Sequence, residues 1–97
     1  MDYAALGKSY FLSGYNCCQS VLLAFKDKIN LPEETLINLG SSFGGGIGRL
    51  RQTCGCISAM AIIMGLLYGK YNKDDVEAKA NHYRLIQTLS NKFKERF

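Results

Sequence analysis

Four cysteines fall in two close pairs, Cys17-Cys18 and Cys54-Gly55-Cys56. A thiol can act as nucleophile, as half of a two-electron redox couple, or as a metal ligand. Each pair follows a residue suited to cap a helix, Asn16 before the first and Thr53 before the second. Unpaired N–H groups and the positive dipole end favour a thiolate in a first helical turn, so the placement predicts lowered thiol pKa values there. Arg49 and Arg51, just before Cys54, add positive charge. A helix turns about 100° per residue, so Cys17 and Cys18 diverge and Cys54 and Cys56 lie about 200° apart. Each pair then offers one sulfur to a shared site and turns the other elsewhere. Cys18 belongs to an apolar stripe, which leaves Cys17, while Cys54 lies nearest its cap. The expected working pair is Cys17 with Cys54, and Cys18 and Cys56 read as small core residues. Cys-Cys and Cys-x-Cys are not the Cys-x-x-Cys knuckles typical of zinc, but a four-thiolate iron–sulfur or other metal site on Cys17, Cys18, Cys54 and Cys56 stays open.

The elements that position these thiols read as helices, with no strand. Tyr3, Leu6, Tyr10 and Phe11 recur at helical intervals and Gly14 ends that element. After Asn16, the stripe Cys18, Val21, Leu22, Phe25 and Ile29 predicts a second helix. Pro32 in a first turn, followed by Glu33 and Glu34, predicts a third helix with Leu36, Ile37, Leu39 and Phe43 on its buried face. Gly44, Gly45, Gly46 and Gly48 cannot sustain a helix, since each glycine costs about 1 kcal/mol against alanine. That loop permits close packing beside Cys54. Gly44, Gly45 and Gly46 with Arg49 could also cradle an anionic cofactor through backbone N–H groups, although the ending of a phosphate-binding P-loop is missing. A fourth helix, about residues 54–69, is apolar nearly all round and is expected at the centre of the bundle. Asp74 and Glu77 resemble a capping box for a last helix bearing Val76, Ala80, Tyr83, Ile86 and Phe93, with Lys92, Lys94 and Arg96 at its C-terminal end. His82 and the Met60/Met64 pair read as structural. The expectation is a single all-α domain over residues 1–97, a compact bundle of four to five helices.

At 97 residues with 47% apolar and 21% charged side chains, the chain suits one small globular core. The net charge of +4 comes with no nucleic-acid motif, so no nucleic-acid partner is expected. Residues 56–69, the most apolar stretch, fall short of the roughly 20 needed to cross a bilayer. The N-terminus lacks the pattern of a secretory signal. These features predict a cytoplasmic protein without membrane insertion, and in that compartment cysteines argue for redox or metal chemistry before structural disulfides. A small core with an apolar fourth helix makes a homodimer plausible.

Gly14-Tyr15-Asn16-Cys17-Cys18-Gln19-Ser20-Val21 resembles the Gly-Tyr-Asn-Cys-Ala-Gln-Ser-Val start of the C_GCAxxG_C_C family of redox-active proteins. Phe43-Gly44-Gly45-Gly46-Ile47-Gly48 is similar to that family's glycine loop. Cys54-Gly55-Cys56-Ile57-Ser58-Ala59 is similar to its Cys-Gly-Ala-x-x-Gly box. The resemblance implies a small helical protein with a redox role, and Cys17 and Cys54 match the first two family cysteines. It also implies two more cysteines in a segment beyond Lys92–Phe97. Cys18 and Cys56 stand where the family has Ala, and Ala59 replaces the second Gly of the box. Either the chain is a member shortened at its C-terminus, which is the preferred reading, or Cys18 and Cys56 substitute for the missing pair. Three functions follow as expectations: thiol–disulfide redox through Cys17 and Cys54 with an unidentified redox partner, a metal or iron–sulfur module, or a non-catalytic helical interaction module.

Overall fold

In the computed structural model, which describes residues 2–96 (the Arg96 side chain apart), the chain forms five helices. These are α1 (Tyr3–Leu12), α2 (Cys17–Ala24), α3 (Glu33–Gly40), α4 (Gly55–Tyr68) and α5 (Val76–Arg96). There is no strand among the described residues, and the protein is all-α. None of these helices is long and apolar enough to cross a membrane.

Local signals set most of the boundaries. Asp2 caps α1, its Oδ1 accepting from the Ala5 N–H at 3.0 Å. Asn16 caps α2 as the sequence predicts. Pro32 stands at the N-cap of α3 rather than inside its first turn, so its missing N–H costs no helical bond. For α5 the capping carboxylate is Asp75, which accepts from the Ala78 N–H at 3.0 Å; Asp74, the expected cap, lies in the turn before it and donates its backbone N–H to Asn72 Oδ1. Of the cations expected at the end of α5, Lys92 and Lys94 lie in its last turns and are exposed, while the Arg96 side chain is outside the described residues.

The central element is α2, which corrects the expectation that the fourth helix holds that place. Helices α1, α3 and α4 all pack on α2, whereas α5 packs on α4. Cys18, Leu22 and Leu23 are fully buried, joined in the core by Leu36 of α3, by Ala59 and Ile63 of α4, and by Ile29 in the turn after α2. Helix α4 is more apolar, yet only Gly55, Ala59 and Ile63 are buried, and Leu66, Leu67 and Tyr68 at its far end are exposed. Hydrophobicity states what a helix gains by burial; the number of neighbours is set by where the chain can return. Cys18, Ser20 and Ala24 are small, so three helices can approach α2 at once. Their burial, with that of the leucines, supplies the main stabilisation, and truncating Leu22 to alanine should cost about 2–5 kcal/mol.

Tyr3 stacks on Phe25 with ring centroids 4.3 Å apart and planes 3° apart, and its hydroxyl donates to Asp27 at 2.9 Å. This clasp fixes the start of α1 against the end of α2. Between α3 and α4, Gly45, Gly46, Ile47, Gly48 and Arg49 have consecutive positive φ values of 54–78°, a left-handed stretch that only its glycine content makes accessible.

Candidate thiol site

The start of α2 is held by reciprocal hydrogen bonds. Asn16 Oδ1 accepts from the Gln19 N–H at 2.8 Å, and Gln19 Oε1 accepts from the Asn16 N–H at 3.1 Å. The remaining amide groups tie this turn to α3: Asn16 Nδ2 donates to the Gly40 carbonyl at 3.1 Å and Gln19 Nε2 to that of Ile37 at 2.9 Å. Cys17 and Cys18 lie between these two residues and inherit their fixed position.

Glycines bring the rest of the chain to that turn. A Cβ on Gly40 would meet Gln19 at 2.9 Å, one on Gly44 would meet Asn16 at 3.0 Å, and one on Gly55 would meet the Cys18 nitrogen at 3.0 Å and Cys17 Cβ at 3.1 Å. A Cβ at any of these points would press on its neighbour. The absence of three side chains thus lets the end of α3, the glycine loop and the start of α4 converge on Cys17 and Cys18.

The N-cap of α4 is Cys54 itself, in an extended conformation and with no side-chain capping bond, rather than Thr53. This changes the thiol geometry. Cys54 is not on the helical spiral, so the 200° separation from Cys56 does not apply. All four cysteines are free thiols. Cys54 is exposed, Cys17 and Cys56 are intermediate, and Cys18 is buried among the leucines. Burial first, and then the neighbouring Cys54 and Cys17 sulfurs, push the Cys56 thiol up to about 12. Burial, with Cys17 beside it, pushes Cys18 up to about 11. Here desolvation outweighs the helix dipole, so the lowering expected of first-turn cysteines is not found at Cys18 or Cys56.

Cys17 and Cys54 line one cleft of about 360 Å³, with Gly45, Gly46, Arg51 and Gly55. Gly44 and Arg49 line an adjoining opening that also reaches Cys17. Arg51 is therefore the arginine that shares a cleft with both sulfurs. The N–H groups of residues 47–52 donate to carbonyls of residues 42–47, which directs them into the loop's own structure. On its other side Cys17 borders a groove of about 530 Å³ between α1 and α2, where Cys56 also emerges. Cys56, expected in the core from helical geometry after Thr53, is half-buried instead, because α4 begins at Gly55.

A metal site fits this arrangement poorly. Among the described residues, no three His, Cys, Asp or Glu side chains are grouped to hold an ion. A four-thiolate cluster would also have to draw in Cys18, which is fully buried.

No curated protein and no solved structure matched the chain in comparison. A protein-family model did, over residues 15–97, and its description reads "Putative redox-active protein (C_GCAxxG_C_C)". The matched span takes in the capped start of α2, the glycine loop and the Cys54–Cys56 turn, so this chain belongs to the C_GCAxxG_C_C family of redox-active proteins.

Proposed function

We propose that the protein is a thiol–disulfide exchange protein whose working couple is Cys17 and Cys54. The observation that carries this reading is the shared cleft: the two cysteines line one opening at the starts of α2 and α4, beside Arg51. In the reducing direction both thiols lose their protons, an S–S bond forms between them, and a disulfide acceptor takes the two electrons and two protons to become two thiols. Cys56 stays protonated near neutral pH, because its thiol is held at about 12, and is the weaker nucleophile of the cluster.

Mild oxidation of the reduced chain, followed by peptide mapping, tests this. The expected product is one Cys17–Cys54 disulfide, reversed by dithiothreitol and absent from Cys17→Ser and from Cys54→Ser. Recovery of four unmodified thiols under conditions that oxidise a control dithiol would sink the reading. Iron or zinc bound stoichiometrically to protein purified without oxygen would replace it with a metal-binding one.

A further inference from the structure

Two arginines border the openings that lead to Cys17. Arg51 lines the cleft of about 360 Å³ shared by Cys17 and Cys54, and Arg49 lines the adjoining opening of about 470 Å³ that also reaches Cys17. Gly45 borders both openings, and the Arg49 side chain lies against it: a Cβ there would meet Arg49 Cγ at 2.8 Å. No carboxylate lines either opening, and neither arginine forms an ion pair among the described residues. Both are exposed. Two positive charges therefore stand at the thiol site without a counter-charge from the chain.

The loop holds these two residues in a backbone conformation that disfavours them. Arg49 and Arg51 have φ values of 65° and 57°, in the left-handed region where a Cβ crowds the backbone and a glycine would not. Glycine does fill the left-handed positions 45, 46 and 48 of the same loop. The Arg49 N–H donates to the Gly44 carbonyl at 2.9 Å and the Arg51 N–H to that of Gly45 at 3.1 Å, so the base of each side chain is fixed. Those bonds also occupy the loop's own donors. An anion here would be met by guanidinium groups, whose planar fork of N–H donors matches a carboxylate. Being exposed, the two side chains contribute little to the core, and packing does not account for arginine at these positions.

We propose that Arg49 and Arg51 read the substrate of the exchange reaction, and that this substrate is a small disulfide carrying a carboxylate on each half. The inference rests on the thiol–disulfide function proposed above and adds the substrate class. Openings of a few hundred Å³ are the size of small-molecule sites. The thiolate of one working cysteine attacks a substrate sulfur and the substrate S–S bond breaks. One half leaves and takes up a proton as a thiol, while the other stays bonded to the protein with its carboxylate on an arginine. The second working thiolate then attacks the protein sulfur of that mixed disulfide. The Cys17–Cys54 bond forms, and the retained half leaves and is protonated to its thiol. Overall, one disulfide gains two electrons and two protons to become two thiols, as two protein thiols become one disulfide.

The test oxidises the full reduced chain with three disulfides of similar arm length: dithiodipropionate, which is anionic, hydroxyethyl disulfide, which is neutral, and cystamine, which is cationic. Each rate is divided by that of the same probe with dithiothreitol, which removes intrinsic reactivity. The anionic probe should be favoured over the neutral one by about tenfold, the equivalent of about 1.4 kcal/mol from two charge-assisted contacts, and cystamine should be slowest. Raising the salt from about 0.01 to about 1 M, which shortens the screening length from about 30 to about 3 Å, should shrink that preference. Arg49→Gln and Arg51→Gln should each reduce it and the double variant abolish it, with the rate for hydroxyethyl disulfide unchanged. Equal relative rates in the unsubstituted chain, with the Cys17–Cys54 disulfide still formed, would overturn the substrate class and leave the exchange function standing. So would a preference that survives in the double variant, or a double variant that slows all three probes alike. Failure of every probe to produce the Cys17–Cys54 disulfide would overturn the exchange function and the substrate class together.

Discussion

At the scale of single residues, the four thiols differ by environment more than by sequence position. Cys17 and Cys18 are adjacent in one turn, yet Cys18 is sealed among leucines and Cys17 borders open clefts. Iodoacetamide at pH 8 should therefore modify Cys54 and Cys17 first and spare Cys18 and Cys56, as mass spectrometry of labelled peptides would read directly. The raised thiols also set a pH dependence. A thiol whose folded-state pKa lies above its unfolded value, ordinarily near 8.5, is protonated in both states at neutral pH. Its contribution to stability is then fully present. Above that value the unfolded chain ionises first, and the contribution is lost as pH rises through about 11 for Cys18 and about 12 for Cys56. The melting temperature should fall between about pH 9 and 12, and fall less in Cys56→Ala; equal slopes in the two proteins would contradict the assigned environment.

At the scale of elements, the site depends on backbones brought closer than side chains allow. Two glycines of α4 should respond in opposite directions to alanine. Helix propensity favours Gly→Ala by up to about 1 kcal/mol. At Gly65, where an added Cβ meets nothing within 4 Å, that gain should be realised. At Gly55 the Cβ would press on the Cys18 nitrogen at 3.0 Å, and overpacking of this kind costs about 1–3 kcal/mol. The expected result is a more stable Gly65→Ala and a less stable Gly55→Ala, the latter also slower to form the Cys17–Cys54 disulfide. Asn16→Ala should lose about 1–2 kcal/mol, because it removes the α2 cap and the bond to Gly40 together. Chemical denaturation of the three variants checks all of these. The start of α2 was legible in the sequence, since a capping residue and its box partner are local signals. The start of α4 was displaced by one residue, because Thr53 has the better capping side chain while the approach of Gly55 to α2 decides where the helix begins.

At the scale of the whole molecule, the helices are unevenly shared. The long axis measures 41 Å against 29 and 26 Å, and α5 packs along α4. None of the described side chains of α5 is buried, and Leu66, Leu67, Tyr68, Val76, Tyr83 and Leu85 of these two helices are exposed. We propose that a second copy of the chain covers this face. Light scattering after size exclusion should give the dimer mass, and Leu67→Lys should shift it toward the monomer; a monomer at every concentration of the unsubstituted chain would remove the proposal.

By itself the sequence determined that the protein is helical, where α2 starts, that residues 44–48 form a loop, and which family the chain belongs to. The first three follow from periodicity, capping and glycine content, all of which act over a few residues. Only the tertiary structure decided that α2 rather than α4 is central, that Cys56 emerges beside Cys17, and that Arg51 shares a cleft with Cys17 and Cys54. It also decided that the Ser20 hydroxyl is buried without a hydrogen-bond partner among the described residues. The arrangement of the thiols depends on Gly40, Gly44 and Gly55 admitting distant backbones to the first turn of α2, a convergence that no spacing within one helix encodes.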